Sequence, residues 1–206
     1  MKKLSLLRGI GNKKETENYY DKWALTYDDT LKKWNYKAPE KAVKFIIKQI
    51  QKKPKYILDL ACGTGLFAKQ IKIIYPSSII DGVDISAKIL KIARNTNLYR
   101  YLFKTSFEKK IKLKNKYDLI SLIGAMTYCN KPKKLFENVI SNLNTNSFFV
   151  FTQRIDLWES RNFDNILDVF NSNLKLIFKS RPLNYLPRNN DFKKHIKIRI
   201  VIMKKI

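Results

Sequence analysis

A chain of 206 residues with 45% hydrophobic content can bury one ordinary core, and no repeat, low-complexity linker or composition shift marks a second domain. Its 42 Lys and Arg against 17 Asp and Glu give a formal charge of +25, yet 34 of the 42 are Lys, spread through the chain among many Asn and Ile as A/T-rich codons would dictate. Bidentate phosphate or base recognition would favour Arg, so the charge predicts a general pull on anions and leaves nucleic acid a disfavoured partner.

Residues 1–50 read as a helical cap: aromatic Tyr20, Trp23, Tyr27 and Tyr36 precede an apolar stripe, Ala42, Val43, Ile46, Ile47 and Ile50, with Lys on the other face. Tyr56 to Leu60 is the first strand, Leu66 to about Ile74 a helix stopped by Pro76, and Ile79 to Asp84 the second strand. Ser86 is placed to cap a helix that buries Ile89, Leu90 and Ala93. Leu98 to Phe103 reads as the third strand and Tyr117 to Ile123 as the fourth, apolar enough to be covered on both faces. Pro132 suits the first turn of a helix carrying Leu135, Phe136, Val139, Ile140 and Leu143, and Phe148 to Thr152 is the fifth strand. Ile196, Ile198, Ile200 and Ile202 alternate with Lys197, Arg199, Val201 and Met203, the mark of a half-exposed strand, which pairs with Leu174 to Lys179 as a terminal antiparallel hairpin. Alternating helices and strands predict a parallel sheet covered on both faces, with residues 55–155 as the cofactor-binding core and 156–206 as a C-terminal helix and hairpin.

No apolar run reaches the roughly eighteen residues of a membrane span, and the apolar part of the basic opening is broken at Arg8, too short for a signal-peptide core. Cys62 and Cys129 with a single histidine, His195, argue against a disulfide framework or a metal site. The expected compartment is the cytoplasm. Nothing in the sequence predicts an oligomeric state.

Chemistry concentrates at Asp59-Leu60-Ala61-Cys62-Gly63-Thr64-Gly65, where a strand feeds a loop whose glycines let backbone N–H groups and a helix start face a ligand. Asp84 follows Gly65 by nineteen residues at the end of the next strand, where a carboxylate can accept from both hydroxyls of a ribose. Gly63-Thr64-Gly65-Leu66-Phe67-Ala68 also satisfies the dinucleotide pattern, so NAD competes with S-adenosylmethionine (SAM) at this level. Asp59 tilts the choice towards SAM, because it would repel a pyrophosphate and attract a cationic aminoacyl group. Gly63, Gly65, Gly82 and Gly124 all fall at or near strand carboxyl ends, where open α/β sheets bind ligands.

The Asp-x-Ala-x-Gly-x-Gly loop resembles the first motif of class I SAM-dependent methyltransferases, with Ala61 in place of its first glycine. Tyr20-Asp21-Lys22-Trp23-Ala24-Leu25-Thr26-Tyr27-Asp28, followed by Tyr36-Lys37-Ala38-Pro39, is similar to the opening segment of the Williams-Beuren-region methyltransferase-like group. The resemblance covers residues 19 to about 155. It implies a Rossmann-like, doubly wound, mostly parallel seven-stranded sheet with an antiparallel last strand and helices on both faces. It also implies that Asp59, Ala61, Cys62, Gly63, Thr64 and Gly65 line the methionine moiety, Asp84 holds the ribose, Ile85 packs on the adenine, and Ser106 and Phe107 lie at its edge. Ile123 and Gly124 would flank the reacting methyl. Tyr20, Tyr27 and Tyr36 belong to an aromatic-rich opening segment that either closes over a cofactor or packs against the sheet, and the hydroxyls of Tyr27 and Tyr36 could reach the methionine carboxylate.

Tyr128, Glu108 and Arg154 are candidate substrate contacts, whereas His195 reads as structural or solvated. No Asn/Asp-Pro-Pro-aromatic segment and no Pro-Cys pair is present, which disfavours methylation of a flipped base. The expected reaction is methyl transfer to a small molecule. Action on RNA or another anionic macromolecule, and SAM binding without turnover, are the alternatives. Arg181-Pro182-Leu183-Asn184-Tyr185-Leu186-Pro187 is expected to shape acceptor choice from the hairpin loop.

Overall fold

The computed structural model describes residues 12–110, 116–190, 192 and 196–206. The apolar runs form parallel strands β1 (Tyr56–Leu60), β2 (Ile79–Asp84), β3 (Tyr99–Lys104), β4 (Tyr117–Leu122) and β5 (Leu143–Arg154). They are followed by β6 (Leu174–Lys179), β7 (Leu183–Asn184) and β8 (Lys197–Lys205). The sheet order is β3-β2-β1-β4-β5-β8-β6, with β8 antiparallel to both neighbours. The expected seven strands become eight because the two residues of β7 also pair with β8.

Alternation along each strand sends one residue to each of two covered faces. On one face α3 (Ala38–Gln49) and α4 (Leu66–Ile74) bury Ala42, Ile46, Phe67 and Ile71 against Ile57, Ile80, Leu119, Val150, Ile200 and Ile202. On the other, α6 (Pro132–Asn142), α7 (Ile155–Ser160) and α8 (Phe163–Val169) bury Phe136, Val139, Trp158 and Phe163 against Leu58, Ile120, Phe149, Phe151, Val201 and Met203. This corrects the reading of the last strand as half-exposed. Inserted between β5 and β6, β8 buries Ile198, Ile200, Val201, Ile202 and Met203 alike, and Ile196 lies before it. The α3 stripe is also narrower than expected, with Ile47 45% exposed. The fifth strand runs well beyond the predicted Phe148 to Thr152 and carries Arg154 at its carboxyl end.

Ser86 caps α5 (Ala87–Arg94) by accepting from the Ile89 amide, and Pro132 opens α6, both as the sequence predicts. The cap is α1 (Lys13–Trp23), a tight turn at Ala24–Thr26, and α2 (Tyr27–Lys33). A third apolar cluster joins its Tyr19, Trp23 and Leu31 to Leu186 and Phe192 from the far end of the chain. The cap and the hairpin loop thereby meet over the carboxyl ends of the strands. His195 lies outside the described residues.

Candidate active site

Main chain makes the floor of a cleft at those strand ends. After β1 the chain turns through left-handed conformations at Ala61 (φ +50), Gly63 (φ +57) and Gly65 (φ +95), a region that costs a residue with a Cβ about 1–2 kcal/mol. The Gly63 and Ser86 amides donate to the two oxygens of Asp84 at 3.0 and 2.9 Å, fixing the carboxylate where it lines the cleft. Burial raises the Asp84 pKa against the pull of these amides. Beyond β4, Gly124 sits at φ +84 and a Cβ there would meet the Tyr36 hydroxyl at 2.5 Å, so only glycine leaves room for that ring.

Side chains make the roof. Tyr20, Trp23, Tyr27 and Tyr36 descend from the cap, Tyr185 and Leu186 come from the hairpin loop, and Tyr128 rises from the turn after β4. Tyr20 and Tyr128 are hydrogen-bonded through their hydroxyls at 3.0 Å, and the Tyr36 and Tyr185 rings meet edge-on at 5.7 Å. Burial holds the hydroxyls of Tyr20, Tyr27, Tyr36 and Tyr128 well above the ordinary tyrosine value and pushes Tyr185 up to about 12. All five are neutral donors at physiological pH. Two carboxylates of the opening segment tie this roof to the floor. Asp21 accepts from the Ser86 hydroxyl and the Lys88 amide, and Asp28 accepts from the Thr64 hydroxyl and pairs with Lys69 at 3.6 Å.

The structure brings Tyr20, Tyr27, Tyr36, Ala61, Gly63, Asp84, Ile85, Ser106, Phe107, Ile123, Gly124, Glu108 and Tyr128 to this one cleft. Asp59, Cys62 and Thr64 open instead onto a smaller cavity beside it, which shares Tyr27, Tyr36, Ala61, Gly63 and Ile123 with the cleft. Asp59 is buried and accepts from the Tyr99 hydroxyl at 2.9 Å and the Ser121 hydroxyl at 2.8 Å. Burial pushes its carboxyl up to about 7, opposed by those two hydrogen bonds and assisted by the nearby Asp84.

Other expected contacts lie elsewhere. Gly65 lines neither cavity and starts α4 with its back to the Tyr99 ring, 3.3 Å from where a Cβ would stand. The Glu108 carboxylate is committed to Lys13 at 2.7 Å and to the amides of Asn130 and Lys131. Burial would raise its pKa, but these partners bring it below the ordinary value. Arg154 stands behind the lining, 5% exposed. Asn12, Lys13, Thr16, Leu31, Ile89 and Asn130 also line the cleft, and no motif in the sequence marks them as doing so.

Sheet order, the antiparallel inserted strand and the acid-loop pair together define the class I methyltransferase architecture. Comparison with known proteins agrees. The methyltransferase domain family matches residues 31–192. An uncharacterized protein of Methanocaldococcus jannaschii is 36% identical over 139 residues, 66% of this chain and 50% of that protein. Methyltransferase-like protein 27 of Homo sapiens is 31% identical over 124 residues, 58% of this chain and 50% of that protein. The chain thus spans about half the length of these curated relatives. Among solved structures, the plantazolicin methyltransferase BpumL, in complex with a pentazolic desmethylPZN analog and S-adenosylhomocysteine (SAH), superposes with a TM-score of 0.65 at 14% identity, covering 98% of this chain and 96% of that one. The N-methyltransferase NodS of Bradyrhizobium japonicum, bound to SAH, gives 0.61 at 12% identity over 81% of this chain and 86% of that one. The chain belongs to the methyltransferase domain family, of the class I SAM-dependent type. Among the described residues, no helix is long and apolar enough to cross a membrane.

Proposed function

We propose that this chain transfers the methyl group of SAM to a small-molecule acceptor. The observation that carries the reading is Asp84, a carboxylate fixed by two backbone amides on the floor of an aromatic-roofed cleft, with Gly63 and Gly124 on either side. In this reading Asp84 accepts from the ribose hydroxyls, Ile85 and Phe107 enclose the adenine, and Ser106 lies at its edge. Ala61, Cys62, Gly63 and Thr64 surround the methionine part, and Asp59 offers its charge to the ammonium from the adjoining cavity. Gly65 serves the turn. The cofactor supplies a methyl on a sulfonium leaving group, so the protein's part is to align the acceptor and exclude water. Tyr20, Tyr27 and Tyr36 perform the exclusion, since their rings close the cleft from above.

An acceptor approaches from the side of Tyr128, Tyr185 and Leu186, where the wall is aromatic and apolar. Lys13, the lysine lining this cleft, is already paired with Glu108, which favours a small organic molecule over a polyanion. Relatives bearing names such as malonyl-[acyl-carrier protein] O-methyltransferase, 26% identical over 97 residues in Bacillus cereus, support methyl transfer without fixing the acceptor. Methyl-labelled SAM incubated with a small-metabolite panel and, separately, with total RNA tests the reading. Label in the small-molecule fraction is expected; label confined to RNA would overturn the acceptor class.

A further inference from the structure

We propose that the methyl acceptor is a primary or secondary amine taken up uncharged, and that the tyrosines of the cleft aim its lone pair at the methyl and then hold the methylammonium product among their rings. The inference rests on the methyltransferase reading and names the substrate class of the same site. The hydroxyls of Tyr36 and Tyr185 converge on Gly124, 2.5 and 3.9 Å from where a Cβ would stand, and the methyltransferase reading sets Gly124 beside the reacting methyl. The Tyr27 hydroxyl stands 3.9 Å from the equivalent point at Gly63. Among the described residues no hydrogen bond ties up any of these three hydroxyls, and all three tyrosines line the cleft. The rings meet at steep angles, 80° between Tyr36 and Tyr185, 82° between Tyr20 and Tyr128 and 62° between Tyr20 and Tyr27, so they wall a box instead of stacking face to face.

Charge and proton inventory select the amine. Among the described residues lining the cleft, the charged ones are Lys13, Asp84 and Glu108. Lys13 and Glu108 pair with each other, and two amides hold Asp84. Asp59 opens onto the adjoining cavity and accepts from Tyr99 and Ser121, while Arg154, behind the wall, is paired with Asp156. An anionic acceptor finds no unpaired protein cation here and would trade its hydration for the sulfonium alone. An alcohol, phenol or thiol finds no base to take its proton. An uncharged amine needs neither. Its N–H groups donate to the phenol oxygens while its lone pair faces the methyl: the N–C bond forms as the C–S bond breaks, the electron pair of that bond stays on sulfur, and the positive charge passes to nitrogen with every proton still in place. Tyrosine rings attract the cation so formed through the negative charge on their faces.

Probes of one shape and different charge test this by isothermal titration of the SAH-loaded protein: choline, its uncharged analogue with tert-butyl in place of trimethylammonium, and tert-butylacetate, the corresponding anion. Choline should bind about tenfold more tightly than the uncharged analogue, and the anion more weakly than either. On the SAM-loaded protein choline should bind severalfold more weakly than with SAH, because ammonium and sulfonium repel at close quarters. Tyr185→Phe keeps the ring and should leave choline affinity within about threefold, whereas Tyr185→Leu should lower it by about tenfold, with retained SAH binding as the check on folding. Label passed from SAM to the acceptor should survive mild alkali and travel with a methylated amine. Choline no tighter than its uncharged analogue, the anion binding most tightly, equal choline affinity with SAM and SAH, Tyr185→Leu matching the wild type, or label leaving as methanol in alkali would each overturn the inference. Failure of the wild type to bind SAH would instead remove the reading beneath it.

Discussion

The floor of the cleft is largely backbone at the carboxyl ends of neighbouring parallel strands, and its roof is side chains from three distant segments. On the floor, two amides and a left-handed turn place Asp84 and Gly63 with little dependence on neighbouring side chains. In the roof, Tyr20, Tyr36, Tyr128 and Tyr185 are held by one another and by two tethers, Asp21 to Ser86 and Asp28 to Thr64. A backbone site is rigid as soon as the sheet forms, whereas a roof of rings owes its position to packing that one substitution can remove. The two halves should therefore respond differently to mutation.

Removing the centre of the roof gives the largest expected effect. Trp23 is 2% exposed and packs against Tyr19, Tyr20, Tyr27 and Trp34, so Trp23→Ala should destabilise the cap by about 3 kcal/mol. Limited proteolysis should then cut within residues 12–36 while β1 and β2 keep their protection from hydrogen exchange. Simultaneous loss of protection in both regions would show that roof and floor are one unit.

The seam between them comes next. Gly124→Ala places a Cβ at φ +84 against the Tyr36 hydroxyl and should cost about 2 kcal/mol in thermal or urea unfolding. Adding Tyr36→Phe should return part of this loss, a coupling that a double-mutant cycle reads directly. Strictly additive effects would mean that the contact is immaterial.

Asp59 sharpens the comparison through pH. Its pKa of about 7 lies above the ordinary carboxylate value, so the stability it contributes is present at low pH and is lost as pH rises through about 7. A bound ammonium favours the ionised form, so SAM affinity should rise by about tenfold between pH 6 and 8, with proton release on binding. Asp59→Asn should flatten that profile, and a flat wild-type profile would detach Asp59 from the cofactor.

The smallest effect is a gain. Ala61 occupies φ +50, and Ala61→Gly should stabilise the protein by about 1 kcal/mol at the midpoint of thermal unfolding.

Legibility followed the same division. The acid-loop pair could be read because its spacing is local: β1, α4 and β6 fall at their predicted bounds, and Asp84 stands beside Gly63 as the pattern requires. The inserted strand was legible as a strand but not as a buried one, since Lys197 and Arg199 suggested exposure while both faces are in fact covered. The roof was half legible. Its aromatic residues stood out, but no local pattern says that Tyr185 meets Tyr36, or that Asp21 and Asp28 act as tethers, because those contacts join segments far apart in the chain. Glu108 reads as a substrate contact in the sequence because nothing there shows that Lys13 pairs with it.

The floor's role is tested most directly by isothermal titration with SAH and NAD of the wild type and of Asp84→Ala, alongside their thermal midpoints. Saturable SAH binding that falls by about 100-fold in a variant that still unfolds cooperatively is the expected result. NAD binding in place of SAH, or SAH affinity unchanged by the substitution, would contradict a cofactor site built on Asp84.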